Sequence, residues 1–242
     1  MTVAGAALAL FAGAVLQSAT GFGFALVSAP ILFALLGPRE AVTAGVLIAV
    51  ALSAMTLAGE QRRPQVRVGD ASALLGWSLP GLAIGALALR ELSEHVLSAL
   101  VAVAVLGGLL LRVLGRRGAA TARPRVWHLP AAGVTGGALS TATSLSGPPL
   151  VFCLLARGAS PVQMRDTLAA IFLVHAALGL PALLLAGTFA MPDAAGLLLL
   201  AGVAGQLLGR RAFGRLRGER YERVVLAVLA LAAVAALAAS MV

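Results

Sequence analysis

The sequence predicts an all-α polytopic membrane protein. It is read as two inverted-topology repeats, each a broken or re-entrant helix hairpin followed by three transmembrane helices. Three observations carry this reading. The first is composition: 60% of the residues are hydrophobic and 11% are charged, and the mean hydropathy is +1.00. Soluble domains are not built this way, and nearly every long segment is apolar on all faces. The second is a repeated word. Ser18-Ala19-Thr20-Gly21-Phe22-Gly23 returns as Thr141-Ala142-Thr143-Ser144-Leu145-Ser146, and each copy is followed by an apolar limb and a proline, Pro38 and Pro161. The third is the placement of the basic residues, all of them arginine, in loops between apolar segments.

The first segment runs apolar from Val3 to Gly37. As one helix it would be about 50 Å long, against a bilayer core of about 30 Å. The chain is therefore expected to enter over Val3–Gln17, break at the small polar word, and return over Phe24–Leu36. Further spans are read at Ala41–Gly59, Ala71–Leu89 and His95–Leu114. The second half repeats the plan: a limb at His128–Leu139, its return at Pro149–Ala156, then Arg165–Gly187, Ala194–Gly209 and Val224–Val242. Pro80 and Pro181 are expected to bend their helices. The whole chain, residues 1–242, reads as a single transmembrane domain. Repeat one covers about 1–114, a basic loop about 115–127, and repeat two about 128–242.

Orientation follows from the arginines. If Arg62, Arg63, Arg67, the cluster from Arg112 to Arg125, the flanking Arg157 and Arg165, and the group from Arg210 to Arg223 are cytoplasmic, only Arg39 and Arg90 lie outside. The positive-inside rule expects that asymmetry. It holds only if each broken unit enters and returns on the same side. An odd number of penetrating pieces per half then inserts the second half upside down, with both termini outside, in the plasma (inner) membrane. The architecture is that of many secondary transporters.

Composition also excludes some classes. The net charge of +9 belongs to membrane anchors, so no nucleic-acid partner is expected. The single Cys153 rules out a disulfide framework and a cysteine metal site. No metal or cofactor is read from the sequence. No basic region precedes the first apolar run, so no cleaved signal peptide is expected. The expected partners are a small anionic substrate and the lipid bilayer, with a homodimer allowed.

The two breaks are the candidate site. A broken helix leaves backbone N–H groups free at the start of its second limb, where partial positive charge favours an anion. Gly21, Gly23 and Gly147 permit close backbone approach and unusual dihedrals. Pro148 and Pro149 suit the first turn of a returning limb. Gln17, Ser18, Thr20, Thr141, Thr143, Ser144 and Ser146 add neutral hydrogen-bonding groups. Together these are the candidate anion-binding residues near mid-membrane; the plainer alternative is that they only pack helices together. His175 is an ionisable residue inside an apolar segment, to be read as a proton relay or as a neutral histidine bonded across helices. Arg165, where the second broken unit hands over to the next span, is a candidate for attracting anions. Asp166 beside it lies at a segment edge, and no Asp or Glu lies deep in a span. Gln206 reads as interhelical glue.

These words resemble the sulfite exporter TauE/SafE family of membrane transporters. The resemblance lies in Gln17 to Phe24 with Pro30 after it, in Gly137 to Ser140 and Ser146 to Val151, and in Arg165-Asp166-Thr167-Leu168. It implies movement of small anions such as sulfite, sulfoacetate and related organosulfur oxyanions, with export as the direction, and no enzyme activity. Ser144 and Ser146 stand where glycines are common in that family. Two alternatives stay open: an anion channel of the same architecture, and an intramembrane serine hydrolase with Ser146 as nucleophile and His175 as base.

Overall fold

The computed structural model describes residues 2–59, 63–115 and 128–213. Within them the chain is helical, with no strand. The helices are α1 (Thr2–Thr20), α2 (Phe24–Leu36), α3 (Pro38–Ala58), α4 (Val68–Glu91), α5 (Glu94–Gly115), α6 (His128–Thr143), α7 (Gly147–Ala156), α8 (Pro161–Leu185) and α9 (Ala195–Phe213). Nine of the ten expected segments are therefore present within a few residues of their expected bounds. The tenth, Val224–Val242, lies outside the described residues. So do Arg62, the basic stretch 116–127, the arginines from Arg215 to Arg223, and the side chain of Thr20. Three helices, Pro38–Ala58, Val68–Glu91 and Val162–Leu185, are long and apolar enough to cross a membrane.

Local chemistry explains the helix ends. α3 and α8 both begin on proline, which needs no N–H partner in a first turn. α8 is also capped by a box: the Gln163 N–H donates to Ser160 Oγ, and the Ser160 N–H donates to the Gln163 side chain. Pro80 and Pro181 lie inside α4 and α8, and both helices run through them.

Packing is organised by helix pairs. α4 lies along α6 and α1 along α9 as the two most extensive pairs, and α3 packs on α8 at the centre. α1 turns back on α2, and α6 on α7. Exchanging α1–α4 with α6–α9 maps α4–α6 onto α1–α9, α1–α2 onto α6–α7, and α3–α8 onto itself. Glycines make the two long pairs possible. A Cβ on Gly81 would overlap the Val134 carbonyl, and one on Gly85 would overlap the Ala138 carbonyl and the Thr141 hydroxyl. On the other side, Gly205 meets the Phe11 carbonyl, and Gly209 meets the Val15 carbonyl and the Ser18 hydroxyl. Phe11 and Val134, Val15 and Ala138, and Ser18 and Thr141 are each 123 residues apart. Close backbone approach through small residues is how helices pair in lipid. Around this frame, Leu8, Ile84, Leu185 and Leu200 are exposed, as a lipid-facing surface requires.

The end of α3 lies by the start of α8 and the end of α8 by the start of α3, so the two run antiparallel, and a hydrogen bond from a loop ties each end of the pair. The segment before α4 is tied to α8 where the Arg67 N–H donates to Thr167 Oγ1 at 3.0 Å. The segment after α8 is tied to α3 where the Ala190 N–H donates to Thr43 Oγ1 at 3.2 Å.

Candidate functional site

Both breaks form where the repeated word expects them, but each is shorter than the word. α1 continues to Thr20, so the first break is Gly21–Gly23; α6 continues to Thr143, so the second is Ser144–Ser146. Gly21 and Gly23 hold φ of 78° and 109°, values that side chains beyond Cα disfavour. At the second break a non-glycine does this work: Ser144 takes φ 60°. Gly147 does not. It has no left-handed dihedral, and a Cβ there would find ordinary room beside Phe22 and Phe172. The expectation of unusual dihedrals and close approach at Gly147 is therefore corrected, and Ser144 takes that part.

Each break rests on a long helix from the other half of the chain. A Cβ on Gly21 would lie 2.7 Å from Arg165 Cα, so the tip of the first hairpin abuts α8. Ser144 Oγ donates to the Val42 carbonyl of α3 at 3.3 Å. Gly21 and Ser144 are 123 residues apart, and so are Val42 and Arg165. The two tips are equivalent in geometry and unequal in chemistry, because one meets an arginine and the other a valine.

A cavity of about 50 Å³ lies between the breaks. Gln17, Gly23 and the first residues of α2 line it from one side, and Ser140, Ser144, Ser146, Gly147 and Pro148 from the other. His175, Phe172 and Ala176 of α8, with Gly45, Val46 and Ala49 of α3, complete the wall. The starts of α2 and α7 thus face one space with the partial positive charge of helix starts; α2 adds free N–H groups, whereas Pro148 and Pro149 in the first turn of α7 carry none. His175 is 1% exposed, and neither ring nitrogen has a hydrogen-bond partner among the described residues. Among the described residues it is thus not bonded across helices, and it lines the cavity. Ser146 lines the same space, yet no Ser146–His175 hydrogen bond joins the pair as a nucleophile and base would require.

Of the expected site residues, Gln17, Gly23, Ser144, Ser146, Gly147, Pro148 and His175 meet at this cavity. Others do not line it. Ser18 Oγ donates to the Val15 carbonyl at 2.7 Å, Thr141 Oγ1 to the Leu82 carbonyl at 2.7 Å, and Thr143 Oγ1 to the Leu139 carbonyl at 2.9 Å. The Ser18 and Thr143 hydroxyls are thus turned back on their own helices, and that of Thr141 joins α6 to α4. Gly21 and Arg165 pack on each other beside the cavity. Asp166 is no solvated edge: it is 2% exposed and accepts the Gln65 N–H at 2.7 Å. Gln206, as expected, joins helices, with Nε2 donating to Thr56 Oγ1 at 2.9 Å. Among the described residues no group of histidine, cysteine and acidic side chains is arranged to hold a metal ion.

Two features escaped the sequence reading. Ser140 lines the cavity, and its spacing from Gln17, again 123 residues, is the signal that marks it. Asp70 is buried at the start of α4 and paired to Arg157 across 87 residues of chain, a contact no local pattern announces.

Comparison with known proteins completes the picture. The family described as Sulfite exporter TauE/SafE matches residues 5–236. A protein of Cupriavidus necator named "Probable sulfite/organosulfonate exporter TauE" is 32% identical over 171 residues. That match covers 68% of this chain and 65%, just under two thirds, of the relative's length. No solved structure matches the chain.

Proposed function

The chain belongs to the sulfite exporter TauE/SafE family of membrane transporters, and from that premise we propose that it exports small sulfur oxyanions through the cavity between its two helix breaks. One observation carries the reading. Two helix starts, 123 residues apart in sequence, face a single cavity that also holds a buried histidine with no hydrogen-bond partner among the described residues. The anion sits against the N–H groups that open α2 and the positive end of α7, whose Pro148 and Pro149 carry no N–H. Gln17, Ser140 and Ser146 supply neutral hydrogen bonds, and His175 supplies a ring nitrogen. Sulfite, with four heavy atoms, is close to the cavity in size, since about 10–15 Å³ accommodates one water-sized sphere.

The two repeats, about 1–114 and 128–242, are read as inverted copies. The self-mapping set of helix pairs, the constant spacing of the glycine crossings and the antiparallel α3–α8 pair support this. The loop ties at the two ends of that pair, read as seals over the cavity, favour a carrier that opens to one side at a time over an open channel. The arginine-bearing face is cytoplasmic in this reading, in keeping with the positive-inside rule. Outward movement of an anion is then assisted by an inside-negative potential, about 2.3 kcal/mol per charge per 100 mV.

The test is flux of labelled sulfite and methanesulfonate in liposomes containing the purified chain. Saturable flux, reduced at least tenfold by Gln17→Leu together with Ser140→Leu, is the expected result. Flux no greater than from empty liposomes, for both anions, would sink the reading.

A further inference from the structure

The seals at the two ends of the α3–α8 pair are counterparts in sequence, but they differ in charge. Arg67 and Ala190, whose N–H groups make the two ties, are 123 residues apart. Asp70 and Asp193 are separated by the same number. At the first seal Asp70 is 6% exposed and sits between two arginines. Arg157 Nε donates to its Oδ1 at 2.7 Å. Arg67 Nε stands 2.7 Å from Oδ2 as an ion pair, though not aligned as a hydrogen bond. Arg67 Nη1 also donates to the Arg157 carbonyl at 2.9 Å. At the second seal Asp193 is exposed, and the residues corresponding to Arg157 and Arg67 are Ala34 and Ala190. The acid is present at both seals; the arginines are present at one.

The charged seal is placed to matter. Asp70 opens α4, Arg67 precedes it, and Arg157 ends α7, so one carboxylate ties the start of α4 to the α7–α8 turn. The same loop is held to α8 through Asp166 and Thr167. The next residue back along α8, Arg165, carries the tip of the first hairpin at Gly21. A connected path thus runs from the seal to the cavity wall at Gln17 and Gly23. The guanidinium side chains are 28% and 30% exposed while the carboxylate is 6% exposed, so water reaches the donors and not the acceptor. Two guanidinium groups carry ten N–H donors, more than one carboxylate satisfies, and their planar fork suits an oxyanion.

We propose that Asp70, Arg67 and Arg157 form an oxyanion-operated gate: a sulfur oxyanion reaching this face takes the place of the Asp70 carboxylate between the guanidinium groups and frees α4 from the α7–α8 turn. The proposal rests on the anion-transport reading above. A spare counter-ion relieves the repulsion between two arginines that loss of the carboxylate would otherwise leave. The seal at Asp193, which lacks the arginine pair, has no such requirement and opens without an anion.

Accessibility of the cavity from each face tests this. The native thiol is removed by Cys153→Ala and a new one is placed in the cavity wall by Ala49→Cys. Its reaction with a membrane-impermeant maleimide is then timed in right-side-out and inside-out vesicles, with and without methanesulfonate. Asp70→Asn should speed labelling from the Arg67 face about tenfold, mid-range for coupling between sites, and change labelling from the opposite face less than twofold. Methanesulfonate should produce the same acceleration in the chain that keeps Asp70 and add nothing in Asp70→Asn. Arg157→Gln, which drops a charge but keeps a donor, should also open that face, and it guards against a folding defect in Asp70→Asn. Unchanged labelling in both variants would overturn the gate. Opening by substitution but not by methanesulfonate would overturn the anion step. Absence of sulfite and methanesulfonate flux would remove the transport reading and the anion step together, whereas normal flux with no difference between faces would remove the gate alone.

Discussion

Ser144 and Gly21 occupy equivalent turns, and their chemistry predicts different tolerance. Gly21 combines φ 78° with α8 backbone 2.7 Å from where a Cβ would stand. Left-handed backbone costs a non-glycine roughly 1–2 kcal/mol, and overpacking roughly 1–3 kcal/mol more. Gly21→Ala should therefore lose about 3 kcal/mol and much of its thermal stability in detergent. Gly147→Ala should be neutral or slightly stabilising, because its site is helical and roomy. A melting temperature for Gly147→Ala as low as that of Gly21→Ala would contradict this assignment. The sequence marked both glycines alike, since each sits beside a break. What separates them is dihedral angle and the position of a neighbouring helix, and neither is written in the local word. The same limit explains Ser18, Thr141 and Thr143. Their residue types suit an anion site, yet rotation along the helix turns their hydroxyls to backbone carbonyls. His175 was legible because an ionisable residue in an apolar run stands out whatever its rotation.

At the scale of elements, the glycine crossings are the parts under most constraint. Gly81 in α4 and Gly205 in α9 each face a carbonyl of the partner helix. Gly81→Ala and Gly205→Ala should each cost about 1–3 kcal/mol by overpacking, and by similar amounts, because the contacts are counterparts. Gly76→Ala, in the same helix as Gly81 but with nothing near it, should gain about 0.5–1 kcal/mol from helix propensity. Chemical or thermal unfolding in detergent would measure all three, and equal effects at Gly76 and Gly81 would refute the crossing. Helix positions were largely legible in advance, since apolar runs and their breaks fix them. α2 was read at its observed bounds, Phe24–Leu36. The pairing of α4 with α6 and α1 with α9 was not legible, because nothing in a glycine shows which backbone it faces until two interfaces are seen at one spacing.

For the whole molecule, the difference between the two seals yields a gain-of-function test. Ala34→Arg would give Asp193 the partner that Asp70 has in Arg157. Labelling of the cavity from the Asp193 face should then slow about fivefold, a coupling at the low end of the usual range, while labelling from the Arg67 face stays as before. Unchanged rates from the Asp193 face would mean that the missing arginine does not set the asymmetry.

That asymmetry bears on what drives export. Unequal gates change how long an empty carrier dwells facing each compartment, and so its half-saturating concentration on either side. They cannot supply net work. With equal anion activities and no voltage, forward and return flows must balance however strongly Asp70 holds its side shut. In the reading proposed above, vectorial movement must therefore draw on an electrochemical gradient, that of the anion or of an ion moved with it, and the charged cluster sets only how readily that gradient is tapped from its side.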